Sequence, residues 1–118
     1  MNRPSRVIVV DDDPCIGESM SNLLSVEGFA VDVVDCAERA VALCADTHYD
    51  AALLGYRLPG MSGLDLLRAL RRVDPALRAI VITGNGSGSL VHDALVAGAE
   101  AVFHRPLEAT SFLPLLLA

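Results

Sequence analysis

The 118 residues predict an α/β domain, a five-stranded parallel sheet wound with helices on both faces. Three observations predict it. Five short apolar runs, at residues 7–10, 30–34, 51–54, 79–83 and 101–104, are largely continuous rather than alternating, as in strands buried on both faces. Segments with apolar residues at helical spacing separate them. Asp, Gly or Pro punctuates the steps between them, and strict alternation of strand and helix builds parallel βαβ units rather than hairpins.

The first strand is the β-branched run Val7, Ile8, Val9 and Val10, which Asp11-Asp12-Asp13 ends. Asp13 suits a helix N-cap and Pro14 the first helical position, where its missing N–H costs nothing. Ile16, Met20, Leu23 and Leu24 then fall at i, i+4, i+7 and i+8, one apolar face, until Gly28 stops the helix. After the second strand, Ala37, Ala40, Val41 and Cys44 give a weaker helical stripe. Ala51 to Leu54 form the third strand. Gly55 follows, then a Leu58-Pro59-Gly60 turn that neither strand nor helix continues. Ser62 is an N-cap with Asp65 three residues on, so a helix starts at Gly63; it carries Leu66, Leu67 and Leu70 and ends at Asp74-Pro75. Beyond the fourth strand, residues 84–89 read Gly-Asn-Gly-Ser-Gly-Ser, a loop with little to stiffen it. A short helix with Val91, Ala94 and Leu95 runs to Gly98 and leads to the fifth strand. Residues 108–117 are apolar enough for a last helix, which Pro114 forces to start late, near Leu113, or to bend.

At this length the chain is one domain, residues 1–118, able to bury a core without staples. Apolar residues make up 53% and Trp is missing, so the core is aliphatic. A net charge of −6 argues against a nucleic-acid-binding surface, which needs clustered Lys and Arg. Cys15, Cys36 and Cys44 lack metal-ligand spacing and read as buried or half-buried thiols of a reducing compartment. The N-terminus holds no secretory apolar core, and no run approaches the ~20 residues of a membrane span. The expectation is a soluble cytoplasmic domain with neither nucleic acid nor membrane as partner.

The segment Leu58-Pro59-Gly60-Met61-Ser62-Gly63 after an apolar strand, the pair Asp11-Asp12 after Val10, Thr83 closing the fourth strand and Arg105-Pro106 after the fifth carry a resemblance. Together they resemble the receiver domains of bacterial response regulators, the CheY-like family, from Arg6 to about Leu117. The resemblance implies the flavodoxin-like strand order 2-1-3-4-5, with the site at the C-terminal strand ends. It makes Asp12 the direct Mg²⁺ ligand, Asp11 its acidic neighbour, and the Arg57 main-chain carbonyl a further ligand. Thr83 matches the hydroxyl that turns toward the phosphoryl group. Arg105, followed by Pro106, takes the place of a lysine, and Val102 that of a switch aromatic.

Gly55 stands where receivers carry the aspartate that is phosphorylated. It has no side chain to phosphorylate. Asp50 cannot replace it, because a strand rising ~3.3 Å per residue puts it at the opposite end. Tyr56 and Ser62 lie in the loop but do not offer the family's acyl-phosphate chemistry. The resemblance, with this departure, implies a non-enzymatic, phosphorylation-independent interaction module of two-component phosphorelay signalling, with Mg²⁺ weak or absent and no cofactor required. Its expected binding face, to a protein partner or a second copy, is helix 4, strand 5 and helix 5, roughly residues 90–117. The chain ends within or just after its last helix, which fits a receiver cut from a longer regulator. Arg105 is expected to reach above Gly55 and pair with Asp11 or Asp12, since adjacent carboxylates without a counter-charge resist ionising together.

Two other readings compete. Asp11 and Asp13 form an Asp-x-Asp that resembles the nucleophile and acid/base pair of haloacid-dehalogenase phosphohydrolases, although Pro14-Cys15 stand where those enzymes carry Gly-Thr. Gly84-x-Gly86-x-Gly88 suggests a nucleotide loop, but Ser89 takes the last glycine's place and no acidic residue follows at the right distance.

Overall fold

The computed structural model describes residues 5–84 and 88–104. In chain order these form β1 (Arg6–Val10), α1 (Pro14–Val26), β2 (Ala30–Val34), α2 (Ala37–Asp46), β3 (Ala51–Gly55), the two-residue strands β4 (Arg57–Leu58) and β5 (Met61–Ser62), α3 (Gly63–Val73), β6 (Arg78–Thr83), α4 (Gly88–Ala97) and β7 (Ala101–His104). The main sheet runs β2-β1-β3-β6-β7, and every neighbouring pair in it is parallel. With the small β4–β5 ribbon set aside, that is the expected 2-1-3-4-5 order. The expected last helix and Pro114 lie outside the described residues.

Alternation along each strand sorts the core into two layers. Ile8, Val10, Ala52, Leu54, Ala79 and Val81 pack with Ala37 and Ala40 of α2, Leu66, Leu67 and Leu70 of α3 and Ala94 of α4. Val7, Val9, Leu53, Ile80 and Ile82 pack with Met20 and Leu24 of α1 and with Phe29. Helices therefore cover both faces, which is why these strands read as continuous apolar runs. Full burial of leucines such as Leu66, Leu67 and Leu70 stabilises the fold by about 2 kcal/mol each. β2, at the sheet edge, is partly buried at Ala30, Val31 and Asp32, exposed at Val33 and buried at Val34. Among the described residues no helix is long and apolar enough to cross a membrane.

Local chemistry sets the element ends as expected. The Cys15 N–H donates to Asp13 Oδ1 at 2.9 Å, which makes Asp13 the cap of α1, with Pro14 in its first turn. The Asp65 N–H donates to Ser62 Oγ at 3.2 Å at the head of α3. One expectation gains a detail and two need correction. The Leu58-Pro59-Gly60 turn is flanked by strand pairing, Arg57 opposite Ser62 and Leu58 opposite Met61. Pro59 with Gly60 at φ +79° makes a type II turn, which brings the flanking residues face to face. The helix after β6 begins at Gly88, so it takes in the end of the supposed 84–89 loop; residues 85–87 lie outside the described residues. Cys15 is exposed rather than buried, because the inner face of α1 is set by Gly17, Met20 and Leu24.

The N-terminal sheet edge is closed by polar contacts. The buried Tyr49 hydroxyl donates to Asp32 Oδ2 at 2.6 Å, and burial, then Asp32, raises its pKa. The Arg78 guanidinium donates twice to Glu100, at 3.0 and 2.8 Å, and the bond raises its pKa. At the other edge the chain leaves β3 under a tight constraint. The Gly63 N–H donates to Tyr56 O at 2.6 Å, and a Cβ on Gly63 would collide with Gly55 O and lie 2.9 Å from Tyr56 Cα. Gly63→Ala is expected to lose about 1–3 kcal/mol of stability in urea unfolding, the usual cost of overpacking. A wild-type midpoint would show that this loop relaxes freely.

Candidate functional site

Four strands end along one edge of the sheet. Val10 lies beside Leu54 in register, so Asp11, the next residue, comes level with Gly55; Gly55 pairs with Ile82, and Thr83 with His104. The Tyr56 N–H donates to Ile82 O at 2.9 Å and ties the exit of β3 to β6. The chain thus brings Asp11, Asp12, Gly55 and Thr83 to one rim, as the sequence predicts.

The three consecutive aspartates have different environments. Asp11 is buried, 3% exposed, whereas Asp12 and Asp13 are exposed. The Asp11 N–H donates to Val34 O at 3.1 Å, and its Oδ1 accepts the Asp13 N–H at 2.9 Å. Asp11 therefore braces the β1–α1 turn while Asp13 caps the helix. That commitment weighs against Asp11 and Asp13 as a hydrolase pair, since both carboxylates already accept main-chain N–H groups in the turn. On the side toward β2, Asp11 and Asp12 line a cleft of about 450 Å³ with Asn22, Val33, Asp35 and Arg39, which sequence reasoning did not single out. Arg39, in the first turn of α2, sits 3.8 Å from Asp35, which precedes the helix cap, a contact legible only after the helix start is fixed.

Gly55 is the buried end of β3 and lies outside the left-handed region, so its backbone suits any L residue. A Cβ there would meet Val10 O at 3.2 Å, Asp11 Oδ2 at 3.5 Å and Leu58 Cδ2 at 3.5 Å. A side chain at this position would therefore emerge beside the buried carboxylate. Among the described residues no group of three or more His, Cys, Asp or Glu is placed to hold a metal ion.

Thr83 is buried at the end of β6, Arg57 is exposed in β4, and Val102 is partly buried against the α2–α4 side of the core. Asp50 sits at the opposite edge, where its Oδ2 accepts the Arg6 N–H at 2.8 Å, so the strand-length argument against it holds. Arg105 and Pro106, with the expected pairing of Arg105 to the acidic pair, lie outside the described residues.

Residues 7–116 match the family model described as the response regulator receiver domain. The chain is 32% identical over 103 residues to the two-component response regulator PhoP of Pseudomonas aeruginosa, covering 87% of this chain and 46% of that protein. It is 35% identical over 104 residues to the transcriptional regulatory protein FixJ of Rhizobium meliloti, covering 88% and 51%. The chain thus spans about half the length of these curated relatives. Among solved structures, a CheY-like receiver domain protein from Methanospirillum hungatei superposes with a TM-score of 0.92 at 29% identity, covering 97% of this chain and 91% of that one. A response regulator from Burkholderia pseudomallei, with a phosphorylated aspartic acid, a calcium ion and citrate, gives 0.87 at 25% identity, covering 92% and 64%.

Because a Cβ at residue 55 meets one tight neighbour, Val10 O at 3.2 Å, and the backbone is ordinary, Gly55→Ala is expected to keep its stability within about 1 kcal/mol of wild type, glycine's entropy cost offsetting that crowding. Urea unfolding beside Gly63→Ala checks this; an equal loss in both variants would contradict the geometry.

Proposed function

The chain belongs to the response regulator receiver domain family, and we propose that it works there as an interaction module independent of aspartyl phosphorylation. Receivers are signalling modules of two-component systems. The observation that carries the proposal is the place of residue 55: its Cβ would stand 3.5 Å from Asp11 Oδ2, at the end of the central strand, yet the residue is glycine. In this reading Gly55 occupies the phosphoacceptor position, Asp11 and Asp12 the acidic pair, Thr83 the hydroxyl position and Val102 the switch position. Arg57 offers only a main-chain carbonyl, and Arg105-Pro106 take the lysine and proline places by resemblance.

The family's divalent cation fits this rim poorly. Mg²⁺ takes one or two carboxylates and keeps several waters. Here residue 55 supplies no oxygen from a side chain, and one oxygen of Asp11 already accepts the Asp13 N–H. We therefore assign no step to a metal. With neither nucleophile nor firm cation site, the input that shifts receivers between conformations is lost, so binding is constitutive or biased by another ligand. The proposed binding face includes α4 and β7, where Leu95 and Val96 stand 49% and 73% exposed. The phosphohydrolase reading is not favoured, because the Asp13 carboxylate is the helix cap.

Magnesium titration followed by the amide shifts of Asp11, Asp12 and Asp13 tests the site. Wild type is expected to bind at least about tenfold more weakly than Gly55→Asp, the scale on which metal-site changes act. Equal affinities would remove the basis of the proposal.

A further inference from the structure

At the edge of the sheet farthest from Gly55, one imidazole stands between two carboxylates. His48, in the turn between α2 and β3, has Nδ1 3.1 Å from Asp74 Oδ2 and Nε2 3.4 Å from Asp50 Oδ1. Asp50 leads into β3 and Asp74 closes α3, so the ring joins two elements that meet only in the fold. Each carboxylate is already oriented by its other oxygen. Asp50 Oδ2 accepts the Arg6 N–H at 2.8 Å, and Asp74 Oδ1 accepts the Ala76 N–H at 3.0 Å.

A neutral imidazole has one N–H and one lone pair, whereas the imidazolium donates from both nitrogens. Carboxylate oxygens lie within ion-pair distance of both nitrogens, so the charged ring is attracted on both sides, whereas the neutral ring turns a lone pair toward one of them. We propose that His48 is a proton-dependent clasp, fastening the α2–β3 turn to the end of α3. The other groups around it leave this role to His48. From α2, Cys44 and Asp46 line the same cleft of about 320 Å³ with Thr47, Val73 and Asp74. Burial, then Asp74, pushes the Cys44 thiol up to about 11, so it is neutral where histidine titrates. Asp46 is exposed. Arg6 of β1 directs its guanidinium at Asp32, 3.9 Å away, and Arg78 of β6 directs its own at Glu100. The charges in contact with the ring are thus Asp50 and Asp74, while Arg71 of α3 donates from its guanidinium to Leu77 O at 2.8 Å. Both contacts exist only in the folded chain, so their contribution is greatest while the ring carries its proton and falls once the proton leaves and one nitrogen presents a lone pair to a carboxylate. This inference stands apart from the role proposed for Gly55.

Thermal unfolding of wild type and His48→Gln at about pH 5 and about pH 8 tests it, a range that brackets histidine titration. The contacts are half-exposed, so each is modest. The Tm advantage of wild type over the variant is expected to be about 3 °C larger at the lower pH. Carboxyl ¹³C shifts of Asp50 and Asp74 in wild type are expected to move in step with the His48 ring as it titrates. A Tm difference equal at both pH values, or an Asp74 carboxyl indifferent to the ring, would overturn the clasp.

Discussion

The main chain of Gly63 lies directly on the Gly55–Tyr56 peptide, with its N–H on Tyr56 O and no room for a methyl group. That close approach fixes how the chain leaves β3. The parallel register of β1 beside β3, Val10 against Leu54, fixes the other side. Between them a Cβ on residue 55 enters the space bounded by Val10 O, Leu58 and the buried carboxylate of Asp11. The frame is set by backbone contacts and does not depend on what residue 55 carries. What that residue carries decides the chemistry.

In the proposed reading, glycine at that place supplies neither a nucleophile nor a side-chain oxygen for a cation. An aspartate at residue 55 would put a third carboxylate beside Asp11 and Asp12, and like charges that close resist ionising unless a cation joins them. The glycine removes that demand. Asp11 is left with a structural part, its Oδ1 on the Asp13 N–H and its own N–H on Val34 O. The opposite edge of the sheet is tied by ion pairs. There Asp32, Asp50, Asp74 and Glu100 each meet a cationic or potentially cationic partner in Arg6, His48 or Arg78.

The fold was legible wherever one local rule decides an element. β1, β3 and β6 show as apolar runs because both of their faces are buried, and Asp13-Pro14 and Ser62 show the starts of α1 and α3 because capping is chemistry within three residues. The strand order was legible only through resemblance, since periodicity says nothing of which strands pair. The β4–β5 ribbon escaped notice because its pairing is a product of the turn at Pro59-Gly60. Cys15 was misjudged because one apolar letter near a helix start does not say which face it takes. At the site, Asp11 and Asp12 are the same letter side by side, and only the fold makes one buried and the other exposed. The His48 cluster was illegible for a simpler reason: its members, from Arg6 to Asp74, meet only through tertiary structure.

The most direct test of the central claim is the intact mass of the unaltered chain after incubation with acetyl phosphate and Mg²⁺. The mass is predicted to stay unchanged, because the rim offers no carboxylate at residue 55. Gain of an acid-stable, hydroxylamine-labile phosphoryl group, mapped to any residue along that rim, would contradict the account.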